Sequence, residues 1–333
     1  MRALLLLVLV LTACTTQPNA GASPTPSQTV VATTAAPSPT PTASASPSSS
    51  PIPLPSIAQL SAPSGTVVWA LVAGTRLFRS SDRGDTWAER TIPSGVAPNL
   101  EVSFTDDKDG LLLNLGSTAT QCQTQTAEIW HTADGASTWQ KVPATGIGDA
   151  MCKRAMDRAD ALHSFLTTYG PNSGSLVYRS ADGGATWTAS ALPNPPNLAS
   201  QGSTFVIITG RPRAFGSVVL VDGGGGQQTK DVFRSTDGGV TFSYASTVPT
   251  FEGAVAYVSA TRWLQIAPPN SSKETTDGGA SWHAFTTDYS QAAPVAPDIV
   301  FGDALVGYAT VRGAIQRTTD GGAHWTTIKT PGT

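Results

Sequence analysis

The chain has 333 residues, 13% of them charged, and a net charge of −3. That balance gives no electrostatic footprint for nucleic acid and no polybasic patch for an anionic membrane surface, so neither is expected as a partner. Thirty-two glycines and 25 prolines suit many short strands joined by tight turns, within one large all-β domain.

The first element lies outside the folded domain. Met1-Arg2 precedes an apolar run from Ala3 to Leu11, and Leu11-Thr12-Ala13-Cys14 follows. One positive charge, a short apolar core and small residues before a cysteine read as a signal peptide over residues 1–13. The run is too short to span a bilayer as a mature helix. Leu-Thr-Ala-Cys resembles the bacterial lipobox, and the resemblance implies cleavage before Cys14 and lipid on Cys14. An ordinary signal peptide with a chance cysteine is the alternative. The expected location is extracytoplasmic, lipid-anchored to a bacterial membrane, with the anchor as the only membrane contact. Residues 14–55 are nearly all Pro, Ser, Thr and Ala, without charge or apolar periodicity. Such a segment buries too little surface to offset its ordering entropy, so a disordered tether is expected.

Residues 56–333 carry one motif six times, at spacings of about 40 to 55 residues, the range of a propeller blade. Its aspartate and aromatic positions are Asp82 and Trp87, Asp134 and Trp139, Asp182 and Trp187, Asp237 and Phe242, Asp277 and Trp282, and Asp320 and Trp325. A Ser or Thr stands two residues before each Asp (Ser80, Thr132, Ser180, Ser235, Thr275, Thr318). The carboxylate can accept backbone N–H groups across the turn, glycine permits a positive φ, and the ring can pack between blades. Six turns of structural purpose account for all six aspartates without catalysis or calcium.

Ser/Thr-x-Asp-x-Gly-x-Thr-Trp resembles the Asp-box, or bacterial neuraminidase repeat, of sialidases, sortilin-type receptors and photosystem II assembly-factor-like propellers. The resemblance implies a β-propeller over roughly residues 57–333. The second box departs from the pattern, with Gly135 directly after Asp134 and Ala136 at the usual glycine. Phe242 replaces Trp in the fourth box and His324 replaces Thr in the sixth. Relaxed turns are expected at these places.

Four strands fit each blade. In the first blade they fall at 57–60, 67–73, 77–80 and 86–91. In the second they fall at 100–104, 111–115, 128–132 and 138–142, and in the sixth at 298–301, 306–310, 314–318 and 324–328. The expected architecture is a six-bladed propeller of four-stranded antiparallel blades, with a seventh, boxless blade left open. Turns between strands one and two, and between three and four, share one face with the boxes. Loops between strands two and three, and the crossovers between blades, share the other, where long loops favour function. Cys122 lies in the loop 116–127 and Cys152 in the crossover 143–158, on that second face in adjacent blades. A Cys122–Cys152 disulfide is therefore expected, two unpaired buried thiols being the alternative.

The remaining chemistry is sparse. Asp106, Asp107 and Asp109 lack the first Asp and closing Glu of a calcium loop and read as a hairpin turn. His131, His163, His283 and His324 have no metal spacing, so no metal or cofactor is expected. Arg79, Arg179, Arg234 and Arg317 recur three residues before the boxes and read as packing residues. The Phe/Tyr-Arg-Ile-Pro stretch of sialidases is absent, and no glutamate stands in obvious partnership with a tyrosine. The expected function is thus a non-catalytic, monomeric binding or assembly scaffold for an envelope protein or a cell-wall glycan. A glycan-binding or glycoside-hydrolysing, sialidase-like propeller is the alternative. Candidate binding-face residues are Arg76, Lys153, Arg154, Tyr169, Asn172, Lys230 and Arg312. An enzyme should show Arg, Glu and Tyr clustered at the channel mouth. A glycan binder should show exposed aromatics there, with Tyr169 and Trp263 as candidates. A protein binder should show an apolar patch rimmed by polar loops.

Overall fold

The computed structural model describes residues 58–332, apart from 97–98, 150, 171–173, 197–206, 225–228, 251–252, 268–270, 290–297 and 312. The signal peptide, Cys14, the tether, Asn172 and Arg312 lie outside the described residues.

Six antiparallel sheets follow one another along the chain. Blade 1 holds β1 (Ala58–Ser61), β2 (Val68–Val72), β3 (Arg76–Ser80) and β4 (Ala88–Arg90). Blade 2 holds β5 (Leu100–Phe104), β6 (Gly110–Asn114), β7 (Glu128–Thr132) and β8 (Gln140–Val142). Blade 3 holds β9 (Cys152–Arg158), β10 (Ser164–Gly170), β11 (Gly174–Ser180) and β12 (Thr188–Ala191). In blade 4 the first strand is broken into β13 (Ile208–Thr209) and β14 (Arg213–Phe215), both paired with β15 (Val218–Gly224). β16 (Lys230–Ser235) and β17 (Ser243–Thr247) complete it. Blade 5 holds β18 (Ala254–Tyr257), β19 (Trp263–Ile266), β20 (Lys273–Thr275) and β21 (His283–Ala284). Blade 6 holds β22 (Ile299–Phe301), β23 (Gly307–Val311), β24 (Ala314–Thr318) and β25 (Thr326–Ile328).

The core is six layers between blades, with no single centre. Val68, Ala70, Val72 and Phe78 of blade 1 pack against Val300, Tyr308 and Ile315 of blade 6. The alternate residues Trp69 and Leu71 turn the other way, onto Val102, Leu112 and Trp139 of blade 2. The period of two therefore feeds two interfaces from one strand, which is why β2 and β6 are buried throughout. Four more clusters join blades 2 and 3, 3 and 4, 4 and 5, and 5 and 6. Each box ring packs in the layer shared with the preceding blade; Trp139 also donates its Nε1–H to Thr91 O of blade 1 at 3.0 Å. Six layers close the ring, so no seventh blade is needed.

The box turns repeat one hydrogen-bond pattern. In the first, Ser80 Oγ donates to Asp82 Oδ1 at 2.7 Å and accepts the Gly84 amide at 2.7 Å. The Thr86 amide and hydroxyl donate to the two Asp82 oxygens at 2.9 and 2.6 Å. The residue after each Asp donates its amide to the turn between strands one and two, as in Arg83 to Thr66 O, Gly135 to Lys108 O and Gly321 to Leu305 O. Both sets of turns are thereby stapled on one face. The departures from the motif do not relax the turns. Ala136 takes φ 61 and keeps the amide bond to Thr132 Oγ1. His324 supplies Nδ1 to Asp320 Oδ2 at 2.6 Å where the other boxes use a hydroxyl.

Arginines stitch the same face across blades. Arg79 donates to Asp107 O of blade 2, and Arg317 to Arg83 O and Asp85 of blade 1. In blade 5 the corresponding position is Glu274, which holds Arg262 against Ala304 O and Gly321 O of blade 6. On the opposite face Cys122, at the end of a one-turn 3-10 helix (Ala119–Cys122), is disulfide-bonded to Cys152, the first residue of β9.

The Thr86 hydroxyl, then Ser80 and the Thr86 amide, lowers Asp82 to about 2. Asp320 reaches about 2 against the cost of its desolvation, through the His324 amide and ring. The other four box carboxylates are also lowered. Groups lowered on folding stabilise the protein above their unfolded pKa, so melting temperature should hold down to about pH 4 and fall steeply between about pH 4 and 2. A flat profile over that interval contradicts the assignment. Arg83 is an exposed non-glycine at φ 65, so Arg83→Gly should raise the unfolding free energy by up to about 1 kcal/mol in urea titrations. Removing the disulfide as Cys122→Ala with Cys152→Ala should lower it by about 3–4 kcal/mol.

Candidate functional site

The first strands of successive blades approach one another around the axis: β1 with β5, β5 with β9, β9 with β14, and β18 with β22, which meets β1. Among the described residues their inner edges have no partner strand, so their amides must find side chains. The neighbouring blade supplies them. Gln59 Oε1 accepts the Val102 amide at 2.9 Å, and Ser61 Oγ the Phe104 amide at 3.0 Å. Asp157 Oδ2 accepts the Ala214 amide at 3.0 Å, and Asp298 Oδ2 the Leu60 amide at 2.7 Å. The axis is consequently polar.

First strands run toward the box face. Residues at their beginnings, Gln59, Glu101 and Arg154, and Asp298 just before β22, therefore lie at the opposite end, the mouth. There Glu101 Oε2 accepts Gln59 Nε2 at 2.6 Å and Arg211 Nη2 at 3.2 Å. The same Arg211 nitrogen stands 3.6 Å from Asp298 Oδ2, and Arg211 Nη1 donates to Leu60 O at 3.2 Å. Arg211 thus crosses the axis from blade 4 to blades 1, 2 and 6. Arg154 is exposed, with its guanidinium 6.0 Å from the centre of the half-buried Tyr169 ring and its Nε donating to Thr209 O at 3.4 Å. Ile208, 50% exposed, adjoins this wall. One layer nearer the boxes, Arg213 bridges Asp157 Oδ1 at 3.4 Å and Phe301 O at 3.1 Å, forming a polar floor.

Burial is the main influence on Glu101 and raises its carboxyl to about 7. Arg211 opposes the rise, the charge of Asp298 adds to it, and Arg154 and the Met156 amide lower it. The Glu101 side chain nevertheless keeps 18% of its surface open and that of Asp298 22%. Both carboxylates lie against one nitrogen, at 3.2 and 3.6 Å, so their oxygens there are at most about 7 Å apart, below the upper limit of about 9.5 Å for the acid and base carboxylates of glycoside hydrolysis. A carboxyl that holds its proton near neutrality beside a second carboxylate is the arrangement such chemistry requires.

Of the residues singled out from sequence, Arg154 and Tyr169 belong to this mouth. Arg76 is paired with Glu89, Nη2 to Oε2 at 2.5 Å, and lies over Phe78. Lys153 is 3% exposed and donates to Gln125 O under the disulfide-pinned loop, where burial lowers its pKa. Lys230 donates to Gly253 O at 2.8 Å, tying blade 4 to blade 5. Trp263 is fully buried between blades 4 and 5 and presents no ring to a ligand. These three cations stand in strands and spend their charge on neighbours, Arg76 on Glu89 of β4 and the two lysines on backbone carbonyls. Glu101, Asp298, Gln59 and Arg211 were missed. Their common signal is a polar residue at the start of a short apolar first strand, and, for Arg211, a Gly-Arg-Pro interrupting one. Among the described residues no cluster of His, Cys, Asp and Glu could hold a metal ion.

No protein-family model matches the chain. A xyloglucanase from a Paenibacillus species is 28% identical over 164 residues, which cover 39% of this chain and 15% of that enzyme. The solved GH74 enzyme of Niastella koreensis is 16% identical, with a TM-score of 0.49 over 80% of this chain and 46% of that one. YCF48 from Cyanidioschyzon merolae is 15% identical, with a TM-score of 0.45 over 83% and 87%. The two structural likenesses concern the fold alone. The xyloglucanase match overturns the expectation of a non-catalytic scaffold, because its relationship is to a glycan-cleaving enzyme. It favours the glycan-active alternative.

Proposed function

We propose that this propeller is glycan-active and hydrolyses a polysaccharide of the xyloglucan class at the axial mouth. The observation that carries the reading is the pair Glu101 and Asp298 held on one guanidinium beside Arg154 and Tyr169. In this mechanism the Glu101 carboxyl gives its proton to the leaving glycosidic oxygen as the anomeric C–O bond breaks. Asp298 takes a proton from the water whose oxygen bonds to the anomeric carbon, so one water is consumed; Asp298 then returns that proton to solvent and Glu101 is reprotonated from it. Tyr169 offers part of a ring face to the sugar, and Arg154 donates to its hydroxyls. Lipid on Cys14 and the 14–55 tether would display the domain outside a bacterial membrane, where such polymers are met.

The purified protein should release reducing ends from xyloglucan, and Glu101→Gln or Asp298→Asn should each lower the rate at least about 100-fold. Because the acid must be protonated, the rate should fall as pH rises past about 7, the value of the Glu101 carboxyl. Absence of cleavage by the folded wild-type protein, or full activity in Glu101→Gln, contradicts the reading.

A further inference from the structure

Blade 4 is built differently from the other five. Among the described residues its first strand alone is split, β13 and β14 being separated by Gly210, Arg211 and Pro212. The interruption is pinned from several sides. The Gly210 amide donates to Asp222 O at 2.7 Å, and Gly210 O accepts Thr167 Oγ1 at 2.8 Å. A Cβ at Gly210 would lie 2.7 Å from Asp222 Oδ1, so only glycine fits there without a shift. Pro212 fixes its own φ and has no N–H to seek a partner strand. Local irregularities of this kind re-aim side chains and gather beside active sites. Here the re-aimed side chain is Arg211, which ends between Glu101 and Asp298.

We propose that Arg211 is the positioning residue of the Glu101–Asp298 pair, carried across the axis by the Gly210–Pro212 interruption so that one guanidinium nitrogen fixes the separation and orientation of both carboxylates. The assignment rests on the hydrolytic reading of this mouth. Arg213, two residues on, joins blade 4 to Asp157 of blade 3 and Phe301 O of blade 6, whereas Arg211 sets one nitrogen against two carboxylates. The groups facing Glu101 are Gln59 of blade 1, Arg154 and the Met156 amide of blade 3, Arg211 of blade 4 and Asp298 of blade 6. Burial and the Asp298 charge favour the protonated acid; Arg211 is the foremost group opposing them. Without that opposition the acid would hold its proton too firmly to release it near neutrality. A lysine keeps the charge but loses the rigid fork that reaches the pair and Leu60 O together.

The test is a carboxyl carbon-13 NMR titration of the whole protein labelled at glutamate, of which the chain has five. Glu101→Gln identifies the resonance. In Arg211→Gln, with native near-ultraviolet circular dichroism, the Glu101 midpoint should rise from about 7 by about one unit or more. A midpoint that moves by less than about one unit overturns the proposal, because a guanidinium that governs a carboxyl shifts it by about one to three units. If Arg211→Gln does not fold, Arg211→Lys decides. Its midpoint should move by about half a unit or more as the fork is lost, and an unmoved midpoint overturns the proposal. The titration needs no turnover. If no glycan is cleaved, the hydrolytic reading fails while the Arg211 result still stands. If one is cleaved, the basic limb of the rate profile should move with the NMR midpoint.

Discussion

The fold depends on one repeated interaction, a carboxylate that accepts a backbone amide and a hydroxyl or imidazole proton across a tight turn. Each of the six box aspartates makes these bonds, and the amide beside it reaches the turn between strands one and two. The turn fixes where strand four begins, and so where the box ring enters the layer shared with the preceding blade. Six such placements yield six apolar layers that close without an exchanged strand. Blades 1 and 6 meet through side-chain packing, the Arg317 contacts and the Asp298 bond to Leu60 N.

That solution leaves the axis with a chemical problem. The inner strands have free edges, and the apolar side chains are committed to the layers between blades. Polar side chains from neighbouring first strands therefore satisfy the inner amides, which gathers carboxylates and guanidinium groups at the centre. Asp298 serves both ends, capping an edge amide and facing Arg211. A structural need thus assembles, at the end of the axis away from the boxes, groups suited to acid–base chemistry. Arg211 turns a neutralised cluster into a poised one, since burial alone would keep Glu101 protonated and pairing alone would keep it ionised.

Much of the fold was legible because its cause is local. Asp, Gly and the following aromatic lie within seven residues, so each box announces a hairpin and its face. The pairing of Cys122 with Cys152 followed from the loops those faces share. The mouth was hidden because its cause is global. Gln59, Glu101, Arg211 and Asp298 come from four blades and meet only when the ring closes. Glu101 lies between Leu100 and Val102 in an ordinary strand, and nothing in β5 says that its outward side is the axis. Lys153 and Lys230 misled for the converse reason. Their loops look exposed in sequence, but the disulfide-pinned segment covers one and the next blade's carbonyl holds the other.

The account turns on where a sugar sits. The most direct measurement is a crystal structure of the Glu101→Gln protein soaked with a xyloglucan-derived oligosaccharide. The account predicts a sugar ring against Tyr169 and Arg154, with a glycosidic oxygen within hydrogen-bond reach of residue 101 and the anomeric carbon facing Asp298. An oligosaccharide bound on the box face, or an empty mouth at saturating ligand, would contradict it.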